Sequence, residues 1–157
     1  MTKLTNYSAK FDSGTKKYMM NHAKEIRERI RKEFHLPASA GVAPNKLVAK
    51  IASDWRKPNG LFVVPPSRVD SFVAELPVRQ LWGVGKRAEE RLHSLGCRTC
   101  GELRRIPETD LCNSFGRFGT ELFLQCRGID TRPVVPSRVR KSLSNERTYG
   151  ERIEFEE

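Results

Sequence analysis

Ser39-Ala40-Gly41-Val42-Ala43-Pro44-Asn45-Lys46-Leu47-Val48-Ala49-Lys50-Ile51-Ala52-Ser53-Asp54-Trp55-Arg56-Lys57-Pro58-Asn59-Gly60 is the stretch on which the fold of this 157-residue chain turns. Leu36 to Ala43 is short, small and apolar and lies between helical patterns, so it reads as a buried strand. Pro44 suits the first turn of a helix, where its missing N–H costs nothing, and Leu47, Val48, Ile51, Ala52 and Trp55 supply the buried side. Pro58-Asn59-Gly60 stops that helix and turns the chain into a second strand, Leu61 to Val64, closed by Pro65-Pro66. Upstream, Met1 to Thr15 reads as a polar lead-in that turns at Asp12-Ser13-Gly14-Thr15. From about Lys16, Ala23, Ile26, Ile30 and Phe34 make one stripe on a helix otherwise covered by Lys and Arg. Helix, strand, helix, strand is half of an α/β sandwich.

Beyond the double proline the pattern is wholly helical. Val69, Phe72, Val73 and Leu76 mark one helix and Ala88, Leu92 and Leu95 another. Leu103 and Ile106 mark a short third, and Leu122, Phe123 and Cys126 a fourth. Pro133-Val134-Val135-Pro136 reads as an extended linker, and Lys141 to Tyr149 as the opening strand of a further domain. The divisions are therefore 1–65, 66–133 and 134–157.

The chain carries 29 Lys+Arg against 19 Asp+Glu, a net charge of +10. The excess sits at the N-terminal end, where residues 1–65 hold 13 basic and 5 acidic side chains. Such a surface suits a polyanion, nucleic acid before others, although basic residues that merely face water give the same composition. No apolar run approaches the roughly 20 residues a membrane span needs. Met1-Thr2-Lys3-Leu4-Thr5-Asn6 has no secretory h-region, so the expected compartment is a reducing cytoplasm, with nucleoid association in a bacterium.

Leu81-Trp82-Gly83-Val84-Gly85-Lys86 lies between two helical segments. Glycines two apart let the backbone turn and approach a partner closely, and the following helix offers unpaired N–H groups suited to a phosphate. Lys86 and Arg87 oppose the helix dipole at that end, and phosphate binding would justify them. A tight helix–helix connection whose glycines only avoid a clash is the other reading. A dinucleotide fingerprint lacks its third glycine and preceding strand. Gly116-Arg117-Phe118-Gly119 is open between a second phosphate-contacting turn, with Arg117 exposed and Phe118 packed, and a core connector.

Residues 39–60 resemble the palm signature of the Y-family translesion DNA polymerases, in particular the bacterial DNA polymerase IV branch. Leu76-Pro77-Val78, Trp82 to Lys86, Leu95-Gly96, Thr99-Cys100-Gly101 and Leu103 resemble that family's thumb. Arg140-Lys141-Ser142 and Glu146-Arg147-Thr148 resemble the start of its little finger. The resemblance implies an α+β chain: a truncated α/β palm remnant followed by a small all-helical thumb with helix-hairpin-helix character. It places a contact to the incoming triphosphate on Lys57, a role a mobile ammonium fills well, and otherwise a solvated helix-end lysine. It assigns the grip on primer–template DNA, independent of base sequence, to Gly83, Gly85, Lys86 and Arg87, with Gly116, Arg117 and Gly119 beside them. Lys46 and Lys50, four apart on one helical face, either extend that surface or are simply wet.

Nucleotidyl transfer in this family needs divalent metal, Mg2+, held by palm carboxylates that include an adjacent Asp-Glu pair. Before Asp54 this chain has only Asp12, Glu25, Glu28 and Glu33, none adjacent. Glu25 and Glu28 read as helix-surface partners of Arg, and Asp54 as a surface or capping residue. The expectation is a fragment that binds DNA, needs no cofactor and does not elongate DNA alone, while the complete parent does. A scaffold protein of the repair machinery, and an enzyme whose metal ligands come from a second chain, are the competing readings. A reduced palm sheet with open edges predicts self-association, and the parent would meet a sliding clamp through other regions.

Cys97-Arg98-Thr99-Cys100 has half the spacing of a zinc knuckle, but Cys112, Cys126 and His93 complete no second pair, so these cysteines read as fillers of small apolar gaps. His22 and His35 have no nucleophile partner. Trp55 and Trp82 are rings able to stack on a nucleotide. Trp55 lies on the apolar side of its helix and reads as core, and Trp82 lies beside the hairpin.

Overall fold

A computed structural model describes residues 13–137, Ser142 and Ser144. The expected lead-in before Ser13 and the expected little-finger strand around Lys141 to Tyr149 lie outside these residues, apart from the two isolated serines.

The βαβ unit is present. Strand β1, Ala40–Val42, runs parallel to β2, Leu61–Val63, with Gly41 opposite Phe62. Helix α2, Lys46–Asp54, connects them and buries Leu47, Val48, Ile51 and Ala52. β1 is shorter than the apolar run Leu36 to Ala43, because β2 offers only three residues to pair with. Pro44 stands outside α2. The N-cap is Asn45, whose side chain accepts from the Val48 amide at 3.0 Å, so the cap is a hydrogen bond and not a proline.

Helix α1, Ser13–Phe34, begins within the expected Asp12 to Thr15 turn. Its inner face is half-buried Met20, Ala23, Arg27 and Ile30. Ile26 and Phe34, expected on the buried stripe, are exposed, because Arg27 takes the inner position between Ala23 and Ile30. Arg27 donates from Nε to the Ala38 carbonyl at 2.8 Å and from Nη2 to both the carbonyl and the side-chain oxygen of Asn59. It ties α1 to the segments that lead into both strands of the βαβ unit.

The remaining elements are helical: α3, Pro66–Ala74; a single 3₁₀ turn, Val78–Gln80; α4, Lys86–Ser94; α5, Cys100–Leu103; α6, Glu108–Phe115; and α7, Arg117–Gln125. Pro66 takes the first position of α3, where it is tolerated. Thr99 and Glu102 close a capping box on α5. Helix α6 was not legible in the apolar pattern, which offers it little beyond Leu111 and Phe115.

One hydrophobic cluster runs from Leu47, Val48 and Ile51 through Val73, Leu76 and Leu92 to Leu122 and Cys126. The helical bundle therefore packs on α2 without a break in the core. The bundle and the βαβ unit are also stapled across the N-terminus of α2. Asn45 Nδ2 donates to the Gly128 carbonyl at 2.7 Å, and the Leu47 amide donates to Asp130 Oδ2 at 2.9 Å. The fold is α+β, a small parallel sheet with a helical bundle.

Candidate nucleic-acid interface

The Leu81 to Lys86 segment is a tight turn with alternating burial: Leu81 and Val84 are buried, while Trp82, Gly83, Gly85, Lys86 and Arg87 are exposed. Gly83 has φ +87°, and a Cβ there would stand 2.8 Å from the Phe118 ring, so both conformation and space require glycine. Val84 and Gly85 direct their amides inward, to the carbonyls of Leu81 and Gly83. Gly85 caps α4 without a side-chain bond, and among the described residues the amides of Lys86, Arg87 and Ala88 find no acceptor in the chain. Three donors thus face outward at the positive end of a helix dipole.

Two side chains that sequence reasoning missed hold this turn. Gln125 is the one buried polar residue of the described core, and it brackets the Trp82 peptide: its Oε1 accepts from the Trp82 amide at 2.9 Å and its Nε2 donates to the Trp82 carbonyl at 3.1 Å. Arg79 donates from Nη1 to the Val84 carbonyl at 2.5 Å and pairs with Glu89, the acid of the first turn of α4, at 3.5 Å. The signal for Gln125 was there, an amide in register with buried Leu122 on an apolar helix, but its partner lies 43 residues away.

The two glycine turns meet, since Phe118 from the start of α7 lies against Gly83. Gly116 is exposed and joins α6 to α7, and Arg117 is exposed beside it. Gly119 is not part of a turn. It is buried inside α7, and a Cβ there would stand 2.4 Å from the backbone of Leu111 and Cys112, so its role is the close crossing of α6 and α7. The side chains of Lys86, Arg87 and Arg117 have no ion-pair or hydrogen-bond partner among the described residues, whereas other cations are engaged.

Lys46 Nζ donates to the Pro133 carbonyl at 2.7 Å. Lys50 Nζ pairs with Asp54 at 2.7 Å, and Lys57 pairs with the other oxygen of the same carboxylate. The bonds from Lys50 and then Lys57 hold the Asp54 carboxyl below its usual range. Asp54 is the only carboxylate between Ser39 and Pro65, and among the described residues no three His, Cys, Asp or Glu side chains converge. These residues do not fit a divalent metal pair.

Trp55, expected in the core, caps α2 at 44% exposure and packs its ring against Phe72 and Phe62, with centroids 5.0 and 5.8 Å away. Cys97, Cys100 and Cys126 are buried free thiols, and burial pushes the Cys100 thiol up to about 12. Cys112 is half-buried, with Sγ 3.3 Å from Thr120 Oγ1. No helix among the described residues is long and apolar enough to cross a membrane.

Comparison with known proteins gives two family models: the impB/mucB/samB family over residues 1–54 and the DNA polymerase-iota thumb domain over residues 79–130. DNA polymerase IV of Ralstonia nicotianae is 57% identical over 127 residues, covering 81% of this chain and 36% of that protein. DNA polymerase IV of Stenotrophomonas maltophilia strain K279a is 53% identical over 135 residues, covering 86% of this chain and 37% of that protein. Among solved structures, a post-insertion binary complex of Dbh DNA polymerase superposes with a TM-score of 0.71 at 30% identity, covering 77% of this chain and 36% of that one. DinB from Sulfolobus solfataricus gives 0.70 at 29% identity, covering 75% of this chain and 35% of that one. The chain thus spans little more than a third of the length of these relatives.

Proposed function

The chain belongs to the Y-family DNA polymerases, alongside bacterial DNA polymerase IV, and from that premise we propose that it holds primer–template DNA by the sugar-phosphate backbone as part of a lesion-bypass polymerase. The observation that carries this reading is the open N-terminus of α4, where the amides of Lys86, Arg87 and Ala88 face outward beside two unpartnered cations. A phosphate seated there accepts hydrogen bonds from the amides and is attracted by the charges, with no contact to a base edge. Gly83, Gly85, Gly116 and Arg117 border the same surface, and Phe118 fixes the two turns together.

In this reading residues 1–65 are partial palm, 66–133 thumb and 134–157 the linker and start of the little finger. Lys57 is proposed to meet the triphosphate of an incoming nucleotide, which would compete with Asp54 for its ammonium. Lys46 and Lys50 contribute less to the grip in this reading than Lys86 and Arg87, since each has a partner within the chain. Nucleotide addition to a primer end by the complete polymerase and a sliding-clamp contact through its other regions, with a cytoplasmic setting and self-association of this chain through the sheet, belong to the same proposal. The described residues do not fit the magnesium that such chemistry uses, and no step of the reaction is placed on them.

The test is salt-dependent binding to primer–template DNA by fluorescence anisotropy. Lys86→Gln with Arg87→Gln is expected to weaken binding about equally across sequences and to reduce the log–log salt slope by about 2, as two phosphate contacts are removed. Unchanged affinity and slope in a variant that keeps its circular dichroism would overturn the reading.

A further inference from the structure

Between helix α1 and Asn59, ahead of β2, lies a cleft of about 160 Å³ lined by Lys24, Arg27, Glu28, Arg31 and Asn59. Lys24, Arg27 and Arg31 follow one another at spacings of three and four, so the helix sets three like charges on one face, where neighbours repel. Glu28 stands four residues after Lys24 and three before Arg31 but pairs with neither, although Arg29 and Glu33 of the same helix do pair, at 3.3 Å. The side chains of Lys24 and Arg31 have no ion-pair or hydrogen-bond partner among the described residues. Arg27 is half-buried and fixed. It donates from Nε to the Ala38 carbonyl at 2.8 Å and from Nη2 to the backbone and side-chain oxygens of Asn59, which leaves Nη1 without an acceptor among the described residues. The bond to Asn59 Oδ1, 2.9 Å long, also orients that amide, whose donor end, Nδ2, has no acceptor among the described residues either.

We propose that this cleft binds a phosphate group. Three cations stand against one carboxylate there, so an anion carrying more than one charge is favoured, and its binding relieves a repulsion that nothing in the described chain relieves. A guanidinium already tied along one edge needs little further ordering to donate from the other, and a phosphate can accept from it and from its neighbours at once. The size suits a compact anion, since the cleft is well below the roughly 300–1,000 Å³ of sites for drug-sized ligands. The site is built on α1 and the βαβ unit, and no residue of the glycine turn lines it, so it stands independently of the DNA-binding reading above. The phosphate belongs either to a free anion or to a nucleic-acid backbone, and the chemistry that recognises it is the same.

The experiment titrates the 15N-labelled chain with inorganic pyrophosphate at constant ionic strength and follows its backbone amides by NMR. Saturable shifts are expected at residues 24–31 and at Asn59. Lys24→Gln with Arg31→Gln removes two charge-assisted contacts and is expected to weaken binding about 10-fold or more, with the fold kept because neither side chain has a partner in it. Lys16→Gln with Lys17→Gln removes the same charge from α1 outside the cleft and is expected to change binding by less than about 2-fold. Glu28→Gln, which removes the one opposing charge, is expected to tighten it about 2-fold or more. Duplex DNA then separates the two sources. Added to the chain carrying Lys86→Gln and Arg87→Gln, it moves the same amides if the cleft takes a backbone phosphate and leaves them in place if the cleft takes a free anion. No saturable shift with either pyrophosphate or DNA, or equal weakening by the two α1 double variants, overturns the site and leaves the α4 contact standing.

Discussion

Gln125 reaches across the helical bundle to satisfy both polar groups of the Trp82 peptide. A buried amide in an apolar helix face carries a penalty unless both its ends are paired, and here the pairing also sets the direction of the glycine turn. Gln125→Leu keeps the volume but leaves the Trp82 N–H and C=O without partners. It is expected to cost about 1–3 kcal/mol in urea unfolding and to weaken DNA binding further than that loss of folded population explains. A variant with full affinity would show that the turn holds its shape unaided. At this scale the sequence singled out Lys86, Arg87, Gly83 and Gly85 as candidates, because a local pattern, two glycines before a basic helix start, encodes them. Gln125, Arg79 and the Phe118 contact were hidden, because each acts through a partner that no local spacing reveals.

The pair α6 and α7 shows why a Gly-x-x-Gly string can be read two ways. Gly116 ends one helix and begins the next, so it does mark a corner. Gly119 lies one turn into α7 and lets that helix approach the backbone at Leu111 and Cys112. Gly119→Ala is expected to separate the two helices and cost about 1–3 kcal/mol or more, read as a lower thermal midpoint. A neutral effect would mean that α6 slides aside freely. The same limit governed the strands: Leu36 to Ser39 have the composition of a strand, but backbone pairing extends only as far as β2 does. Helix α1 was expected to bury Ile26 and Phe34, yet the described fold offers its inner face only enough cover for Met20, Ala23, Arg27 and Ile30.

Across the whole molecule, the staple at the N-terminus of α2 joins the βαβ unit and the helical bundle into a single body. Asp130 accepts from the Leu47 amide and holds Arg132, and its side chain is only 4% exposed. The Arg132 bond foremost, helped by the Leu47 amide, holds the Asp130 carboxyl below its usual range. A carboxylate depressed in the folded state stabilises it above the unfolded value of about 3.9, and that contribution is lost as pH falls through the folded value. Thermal melting should therefore show Asp130→Asn less stable than the unaltered chain at pH 7, with the gap closing as the pH drops below about 4. A gap independent of pH would assign the loss to packing alone.

By itself the sequence determined the βαβ unit, the helical character after Pro66, the basic glycine turn and the family, because hydrophobic period, turn chemistry and helix-start residues are all local signals. Only the tertiary structure decided which cations have partners within the described chain. Lys46, Lys50 and Lys57 look as promising in the sequence as Lys86 and Arg87, but Pro133 and Asp54 engage them. It also decided that Trp82 stands in a groove while Trp55 joins an aromatic cluster. The physical reason is the same in each case: a side chain's availability depends on what folding brings against it, and those neighbours come from distant stretches of the chain.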